Sequence, residues 1–530
     1  MKLSADVRVP ADIAEWVFVE PVESDTGVRL FVDTHHRGDA RVQSWVTSVK
    51  GQHPVRDIAF VSLSELVKLR DVARQASQSA VGLTADDLRD VSANQEQVLR
   101  LFSLAAELGS SDIHMTIAGY TRIEMRINGD LQVIKDIPRE DGYALASTII
   151  LSMCDVTEKQ FFPNRKQDGR VKAEFLRKVN LFGARYSHTP TVDGLYLVMR
   201  TIADDGDNVP SLPALGYLPA QCDVVDNILR RPEGMVILSG PTGSGKSTTL
   251  RVLSALFIGR TGGKKRLLTV EDPPEGRIPG SIQTPIIADK ADPEATALAW
   301  VLSISSGVRL DPDAMLLGEI RDLNSAIAAV HAALTGHRLF STTHANCPIS
   351  ILERLVVMGL NPALIADAQL MIGLLSQRLV PTLCPHCSLS WSARQASLDA
   401  TDRDRLTGLF TADALTALRF HNPAGCSQCC KTVYGTVFGQ GIAGRTVIAE
   451  VIQPDAQFMQ IFREQGKAAA RQYWVTTLGG ITRNQHLLIR IREGRVDPLL
   501  AEQVCPLDED RLTLNATTPT TTDAGEHRHG

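Results

Sequence analysis

The chain has 530 residues, a length that predicts three or four domains rather than a single hydrophobic core. Hydrophobic residues make up 44% and charged residues 22%, as in ordinary globular proteins. The net charge of −5 and the pI near 6.2 argue against a strongly basic nucleic-acid binder. No apolar run approaches the ~20 residues of a membrane span, and the first residues lack the apolar core of a signal peptide. We therefore expect a cytosolic protein whose nine cysteines serve as thiols or metal ligands.

The first part of the chain alternates short β-like runs with turn residues. Such runs occur at Trp16–Val19, Arg29–Val32 and Ile58–Val61. They predict a small α+β region of unknown role over residues 1–75. The polar stretch that follows, residues 76–94, is predicted to be a helical linker.

A second α+β domain is predicted over residues 95–205, a segment that we call the N-half. Apolar residues recur at intervals of three to four from Gln95 to Leu108, which predicts a helix. Alternating patterns typical of strands follow at 121–134 and at 177–202. A linker is predicted over 206–222.

The most informative motif is a P-loop at Gly240–Thr248, which fits G-x-x-x-x-G-K-[ST] at every fixed position. The apolar run Met235–Leu238 precedes it and a helical pattern follows it. A strand, a glycine loop and a helix start aim backbone N–H groups at a polyphosphate. In this motif Lys246 would reach the β- and γ-phosphates, and the Ser247 hydroxyl would ligate Mg²⁺. The predicted nucleotide-binding residues of the loop are Gly240, Pro241, Thr242, Gly243, Ser244, Gly245, Lys246, Ser247 and Thr248.

An acidic segment follows the next apolar strand. The run Leu267–Val270 continues into Glu271, Asp272 and Glu275. Carboxylates at the end of a strand beside a P-loop lie where Mg²⁺ and the attacking water must sit. We therefore predict Glu271 and Asp272 as cofactor-binding residues and Glu275 as a catalytic residue. A solvated acidic turn is the alternative that the residues alone leave open.

Two further strand ends carry candidate catalytic residues. An apolar strand at 314–317 leads to Glu319, the pattern of a Walker B motif, where the acid holds the Mg²⁺ shell or polarises water. A strand at 339–342 leads to His344, which is either a γ-phosphate sensor or a structural histidine. Strand and helix patterns alternate through 223–380, which predicts a RecA-like ATPase core there.

The P-loop, the acidic segment and the strand ends at Glu319 and His344 follow one another in this order along the chain. Together they resemble the secretion ATPase superfamily of type II secretion and type IV pilus motors. The resemblance covers residues 95–505. Its boxes are the P-loop, Glu271–Glu275, Gly318–Asp322 and Thr335–Asn346.

The N-half resembles the N-terminal half of the family's ATPase module. The matching motifs are Ser111–His114, Arg126–Gly129, Gln167–Arg170 and Arg185–Ser187. The resemblance implies that second-domain arginines swing over the nucleotide, and the matching positions are Arg126, Arg185 and Arg200. An arginine there would neutralise charge on the γ-phosphoryl group. The alternative for each is a surface arginine or a domain-packing salt bridge.

Some positions depart from the family pattern. Pro274 and Gly276 stand where an aliphatic and an aromatic residue are more usual, and Pro381 stands where a basic residue is frequent. These changes keep the acids but put the packing of the acidic loop in doubt. The first 90 residues resemble none of the family's modules that we recognise.

Two CxxC pairs, Cys384/Cys387 and Cys426/Cys429, are separated by 38 residues. Four thiolates in two such pairs complete a tetrahedral, structural Zn²⁺ site. His386 and Cys430 are spare candidate ligands. Within the family, the resemblance associates a tetracysteine element with assembly and secretion ATPases rather than with retraction motors.

The resemblance implies the fold class and the domain order. The fold class is α/β, with a RecA-like P-loop ATPase core, a preceding α+β (PAS-like) domain, a small N-terminal α+β region, a zinc-binding insert and a helical C-terminal part. Beyond the ATPase core, the predicted segments are a cysteine element over 381–450, a helical region over 451–508 and a disordered tail over 509–530.

The resemblance also implies the function. We predict a homohexameric ATPase, cytoplasmic and peripherally associated with the inner membrane, that uses ATP, Mg²⁺ and Zn²⁺. It would drive an inner-membrane platform protein to assemble type IV pili or pseudopili, with a cytoplasmic adaptor as a further candidate partner. A type II secretion ATPase is the alternative, and a DNA-translocating motor or a non-hydrolysing scaffold is less favoured. No direct nucleic-acid partner is expected. Glu275 is the preferred general base, although the resemblance leaves open which of Glu275 and Glu319 plays this role.

Overall fold

The computed structural model describes residues 7–514 except for 8, 11–12, 15, 22–26, 64, 67–68, 70–84, 156–159, 205, 207 and 289–292. Its contacts divide the chain into two units, residues 1–93 and 94–530. Residues 76–84 of the predicted linker and all of the tail after residue 514 lie outside the described residues. The tail was predicted to begin at 509, but Glu509–Thr513 forms a short helix in which Asp510 is buried.

The first unit contains a three-stranded sheet and one long helix. The strands are β1 (Val17–Pro21), β2 (Val28–Asp33) and β3 (Val55–Val61), and the helix Ala40–Gln52 connects β2 to β3. β1 pairs with β2 antiparallel, and β3 pairs with β2 parallel. A helical crossover is what a parallel pair requires, because its strands run in the same direction.

The N-half is an antiparallel sheet with helices against it. The helix Ala85–Leu108 leads directly into its first strand, β4. The strand order is β6-β5-β4-β10-β9-β8-β7, and every neighbouring pair is antiparallel. The strands are β4 (Ser110–Ile117), β5 (Thr121–Ile127), β6 (Asp130–Ile137), β7 (Cys154–Asp155), β8 (Gln167–Val171), β9 (Leu181–Thr191) and β10 (Gly194–Ala203). The remaining helical segments are Arg139–Thr148, Ile149–Met153, Ala173–Leu176 and Arg177–Val179.

The ATPase core is built on a second seven-stranded sheet, in the order β13-β12-β14-β15-β11-β16-β21. The first six strands are parallel, and β21 adds antiparallel to β16. The strands are β11 (Gly234–Ser239), β12 (Leu267–Glu271), β13 (Ile282–Pro285), β14 (Ala314–Leu317), β15 (Arg338–Thr343), β16 (Met371–Leu383) and β21 (Ile442–Ile452). The central strands β11, β12, β14 and β15 are buried along their whole length because helices cover both faces.

The helices of the ATPase core and of the segment before it alternate with these strands. They are Leu212–Leu215, Pro219–Ile228, Lys246–Arg260, Pro293–Val308, Leu323–Leu334, Ile349–Val357 and Pro362–Ile365. β15 lies between the P-loop strand β11 and the strand β14 that precedes Glu319. The parallel order brings the carboxyl ends of β11, β12, β14 and β15 to one edge of the sheet, which is where open α/β sheets bind ligands.

The cysteine element lies between β16 and β21 and has small sheets of its own. Its strands are β17 (Leu389–Ser390), β18 (Arg419–Phe420), β19 (Lys431–Val433) and β20 (Thr436–Phe438). Its helices are Trp391–Arg394, Gln395–Ser397, Ala400–Leu409 and Ala412–Ala417, and the C-terminal helices are Ala456–Thr476, Arg483–Arg492, Pro498–Glu502 and Glu509–Thr513. In the described part of the chain, none of the helices is both long and apolar enough to cross a bilayer.

Candidate active site

The P-loop follows the buried strand β11 and leads into the helix Lys246–Arg260. Gly240, Gly243 and Gly245 have φ angles of 150°, 78° and 83°, a region that side chains disfavour. A Cβ on Gly240 would lie 2.5 Å from the carbonyl oxygen of Gln377. Glycine is therefore required at Gly240 both by its backbone conformation and by the close approach of the neighbouring strand.

The Lys246 ammonium lies against its own loop. Its Nζ donates hydrogen bonds to the carbonyl oxygens of Gly240 at 2.8 Å and Pro241 at 3.0 Å. Burial lowers the pKa of Lys246, and the nearby charges of Glu319 and Glu275 oppose this shift. The Lys246 ammonium thus lies near the two carboxylates of Glu275 and Glu319 at the mouth of the loop.

Glu275 joins the P-loop to the N-half. Ser247 donates a hydrogen bond through its hydroxyl to one carboxylate oxygen of Glu275. The guanidinium of Arg185, on β9, donates to the other oxygen at 3.2 Å and to the carbonyl oxygen of Asp272 at 3.0 Å. Burial lowers the pKa of Arg185, while the charge of Glu275 raises it. The predicted Mg²⁺ ligand, the predicted base and one of the three predicted arginines therefore meet at one point.

Glu319 and His344 contact each other at the ends of the neighbouring strands β14 and β15. The Nε2 of His344 lies 2.8 Å from one oxygen of Glu319, and Arg321 donates through Nε to the other oxygen at 2.8 Å. The parallel order of β14 and β15 produces this contact, because each residue follows the carboxyl end of its strand. Glu319 and His344 are separate candidate residues in the sequence, whereas in the structure their side chains contact each other.

The other two predicted arginines converge on Asp112 rather than on the P-loop. Arg200 donates through Nε to Asp112 at 3.0 Å, and the Nε of Arg126 lies 4.0 Å from the second oxygen. Arg126 also donates to the carbonyl oxygen of Gly129 at 2.8 Å. The Asp112 side chain is only 9% exposed, whereas both arginines reach solvent. The structure therefore places Arg126 and Arg200 in a charge cluster of the N-half.

The four cysteines of the two CxxC pairs form one cluster, with all four sulfur atoms within 4.8 Å of one another. Three Sγ–Sγ distances, Cys384–Cys426, Cys387–Cys429 and Cys426–Cys429, are 3.8 Å. A tetrahedral zinc site with Zn–S bonds of about 2.3 Å has edges of about 3.8 Å, so the donor set fits this ion. Burial raises the pKa of Cys429, but the backbone N–H groups of Cys426 and Gly441 outweigh it and lower the pKa to about 6.

The spare candidate ligands lie outside this cluster. Cys430 directs its sulfur toward the carbonyl oxygen of Ala424 at 3.8 Å, and His386 is exposed. The sequence spacing left six candidate zinc ligands, and the geometry favours the four cysteines of the two CxxC pairs.

Comparison with known proteins gives the family. The model of the family described as "Type II/IV secretion system protein" matches residues 88–495. The chain belongs to this family. The resemblance read from the four boxes is thereby confirmed.

Two curated relatives show how the family match extends. The chain is 32% identical over 359 residues to the type II secretion system protein E of Pseudomonas aeruginosa, covering 67% of this chain and 64% of that protein. It is 31% identical over 449 residues to the type IV pilus assembly ATPase PilB of Thermus thermophilus, covering 81% of this chain and 46% of that protein. The chain spans less than two thirds of the length of each.

A solved structure of the ATPase DotB from Legionella pneumophila has the same fold. It aligns with a TM-score of 0.50 at 19% identity, covering 76% of this chain and 92% of that one. At this identity the likeness concerns the fold alone. Together with the mixed α/β sheets and the cysteine cluster, it confirms the predicted fold class.

In this secretion-family chain, Glu271 is turned into the sheet. Its carboxylate accepts hydrogen bonds from Thr269 at 2.6 Å and Gln283 at 3.2 Å. Burial raises the pKa of Glu271, and these two donors oppose the shift. Asp272 contributes its carbonyl oxygen to Arg185, as described above. Of the acids predicted in this loop, Glu275 is the one that the structure places against the P-loop serine.

Gln377 is a functional candidate that the sequence reading missed. It lies fully buried on β16, and its Nε2 donates to the carbonyl oxygen of Ser244 in the P-loop at 2.7 Å. Its Oε1 accepts from the Tyr217 hydroxyl at 2.6 Å and from Thr249 at 2.9 Å. A polar amide inside the apolar run Met371–Leu383 was the available signal, since buried polar groups need specific partners.

Proposed function

We propose that the chain binds ATP and hydrolyses it where its N-half meets its ATPase core. The observation that carries this proposal is the meeting of Ser247, Glu275 and Arg185 in front of the P-loop. A hydroxyl for Mg²⁺, a carboxylate for water and a guanidinium for phosphate charge are the parts that phosphoryl transfer requires. The family match supports the same reaction.

Each side chain has a defined task in this proposal. Lys246 exchanges its loop carbonyls for the β- and γ-phosphate oxygens, which the backbone N–H groups of the P-loop also contact. Ser247 would hold Mg²⁺ in place of Glu275, and the bound ion would neutralise charge on the phosphates. Glu275, once released, accepts the proton of the attacking water.

Glu319 and His344 act next to this centre. Glu319 would hold water of a bound Mg²⁺ ion, and His344 would sense the γ-phosphate through its contact with Glu319. Arg185 stabilises charge that develops on the γ-phosphoryl group. Arg126 and Arg200 serve as further phosphate contacts when they leave Asp112.

Single-turnover hydrolysis with radiolabelled ATP tests the assignment of the base. We expect Glu275→Gln to slow the chemical step by about 10²-fold or more, because general-base catalysis contributes ~10²–10⁴. ATP binding should persist, whereas Lys246→Ala should abolish it. Glu233→Gln, an exposed acid at the start of β11, is the matched control. A chemical step in Glu275→Gln within threefold of wild type would remove Glu275 as the base.

We further propose that the chain works as a homohexamer and drives an inner-membrane platform protein, with a cytoplasmic adaptor as an additional partner, in assembly of type IV pili. Apolar side chains exposed on the packed helices Pro293–Val308 and Leu323–Leu334 support a contact between copies. The pilus assembly ATPase of Thermus thermophilus supports the pilus system, and the protein E relative supports the alternative of type II secretion. Peripheral membrane association is proposed on the same basis.

A strain that carries Lys246→Ala separates the two systems. We expect loss of surface pili, counted by electron microscopy, with normal levels of secreted enzymes in the same culture. The Glu233→Gln strain controls for expression. Loss of secretion with normal pili would assign the chain to type II secretion instead.

A further inference from the structure

A β-hairpin of the cysteine element extends into the N-half. It consists of β19 (Lys431–Val433) and β20 (Thr436–Phe438), joined through Tyr434 and Gly435, which both have left-handed φ angles. Phe438 is 2% exposed and belongs to the hydrophobic cluster of the N-half, and Val433 packs against the same cluster. A side chain of the cysteine element thus completes a core formed by another module.

Polar contacts surround this insertion. Lys431 donates through Nζ to the carbonyl oxygen of Glu107 at 2.5 Å, near the end of the helix Ala85–Leu108. A lysine at the carboxyl end of a helix satisfies free carbonyl groups and the helix dipole. The ammonium of Lys135, on β6, lies 5.6 Å from the centre of the Tyr434 ring. Lys431, Val433, Tyr434 and Phe438 of the hairpin therefore contact the N-half.

The base of the hairpin is continuous with the cysteine cluster. β19 begins two residues after Cys429, and the chain that leaves β20 passes Gly441, whose N–H donates to the Cys429 sulfur at 3.3 Å. Cys384 donates through its N–H to the carbonyl oxygen of Gly441 at 2.9 Å. At Gly439 a Cβ would lie 2.6 Å from the Cys429 carbonyl oxygen, and φ is +77°. Displacement of the cysteines must therefore displace both ends of the hairpin.

A groove of about 530 Å³ separates the cysteine cluster from the N-half. Cys384 and Cys429 of the cluster line this groove together with Gly109 and Asn128 of the N-half and Phe438 of the hairpin.

We infer that the cysteine cluster, through the Lys431–Phe438 hairpin, fixes how firmly the N-half is held on the ATPase core. With its ion bound, the cluster holds Phe438 in the N-half. Loss of the ion frees the base of the hairpin and loosens the N-half, and with it Arg185. The last step rests on the proposed function, because Arg185 matters only where ATP is hydrolysed.

Hydrogen exchange of the purified full-length chain, read by mass spectrometry, tests this coupling. We expect Phe438→Ala to speed exchange at least about tenfold in peptides from β4, β5 and the end of the helix Ala85–Leu108, since local opening exposes these amides. Bound zinc per chain, measured with a colorimetric chelator, should stay at the wild-type value. Peptides from β11 and β14 should not change.

Three companion samples separate coupling from general destabilisation. Phe438→Leu should restore most of the protection because it refills the same site with an apolar side chain. Val437→Ala, a more exposed residue of the same hairpin, should match wild type. Zinc removal from the wild type with the chelator TPEN should reproduce the Phe438→Ala pattern in the N-half peptides.

Two outcomes would overturn the inference. Unchanged N-half exchange in both Phe438→Ala and the zinc-free wild type would show that the hairpin does not hold the N-half. Equal acceleration in peptides from β11 and β14 would show general loss of stability instead. These readings need no nucleotide, so absence of ATP hydrolysis in the wild type would contradict only the proposed function. If hydrolysis is present, Phe438→Ala should lower kcat at least about threefold with little change in KM, because Arg185 acts on the transition state.

Discussion

At the scale of single residues, Asp112 organises the charges of the N-half. Its carboxylate pairs with Arg200 and lies within 4.0 Å of Arg126, and it also accepts a hydrogen bond from Ser111 at 2.8 Å. In the proposed function, Asp112 competes with phosphate for the same two guanidinium groups. Because both arginine side chains reach solvent, each pair with Asp112 contributes only about 0.2–1 kcal/mol.

Asp112→Asn should therefore release the two arginines while it preserves the shape of the side chain. We expect kcat for ATP to rise by a factor of about 1.4 to 5, which corresponds to a pair of this strength. Steady-state phosphate release measures it. Asp136→Asn, which breaks the exposed pair with Arg122, is the control and should leave kcat unchanged. A fall in kcat with unchanged thermal stability would mean that Asp112 positions the arginines for catalysis instead.

At the scale of elements, β16 stabilises the P-loop through one amide. Gln377 ties the loop residue Ser244 to Tyr217, in the segment before the ATPase core, and to Thr249 of the following helix. The nearby Gly240 allows the loop to lie against the backbone of β16. The conformation of the loop is thus set by its neighbour in the sheet as well as by its own glycines.

A graded pair of variants tests this role. Gln377→Leu leaves three polar groups unsatisfied and should lower the free energy of unfolding by about 2–4 kcal/mol, with a weaker affinity for ATP. Tyr217→Phe removes one hydrogen bond and should cost about 1 kcal/mol with little effect on affinity. Denaturant titration and fluorescent-nucleotide binding measure both. Equal ATP affinity in Gln377→Leu and wild type would show that the Gln377 amide does not set the P-loop conformation that binds ATP.

At the scale of the whole molecule, local patterns explained much of the ATPase core. The P-loop, the acidic strand ends and the CxxC pairs are contiguous motifs, so their chemistry is readable without the fold. The contacts between side chains of different motifs cannot be read in this way, because they depend on the order of the strands in the sheet. The contact between Glu319 and His344 follows from β14 and β15 being neighbours.

Contacts between modules that are far apart in the sequence could not be predicted from motifs or residue spacing. Arg185 and Glu275 are 90 positions apart, and Lys431 and Glu107 are 324 apart. The sequence around Phe438 did not show whether this side chain packs inside the cysteine element or in the N-half, where the structure places it. Spacing also could not decide the roles of Arg126 and Arg200. The sequence left open either a nucleotide contact or a salt bridge for each, and in the structure both arginines lie near Asp112.

The bridge from Arg185 to Glu275 also bears on how unassembled copies behave. Within one chain the guanidinium neutralises the carboxylate that is proposed to activate water, and the same carboxylate occupies the serine proposed for Mg²⁺. If the chain is the proposed hexameric ATPase, copies outside the hexamer would therefore hydrolyse ATP slowly, and turnover would begin only when nucleotide and neighbouring subunits draw these groups apart. Surplus copies of the proposed ATPase would then consume little ATP.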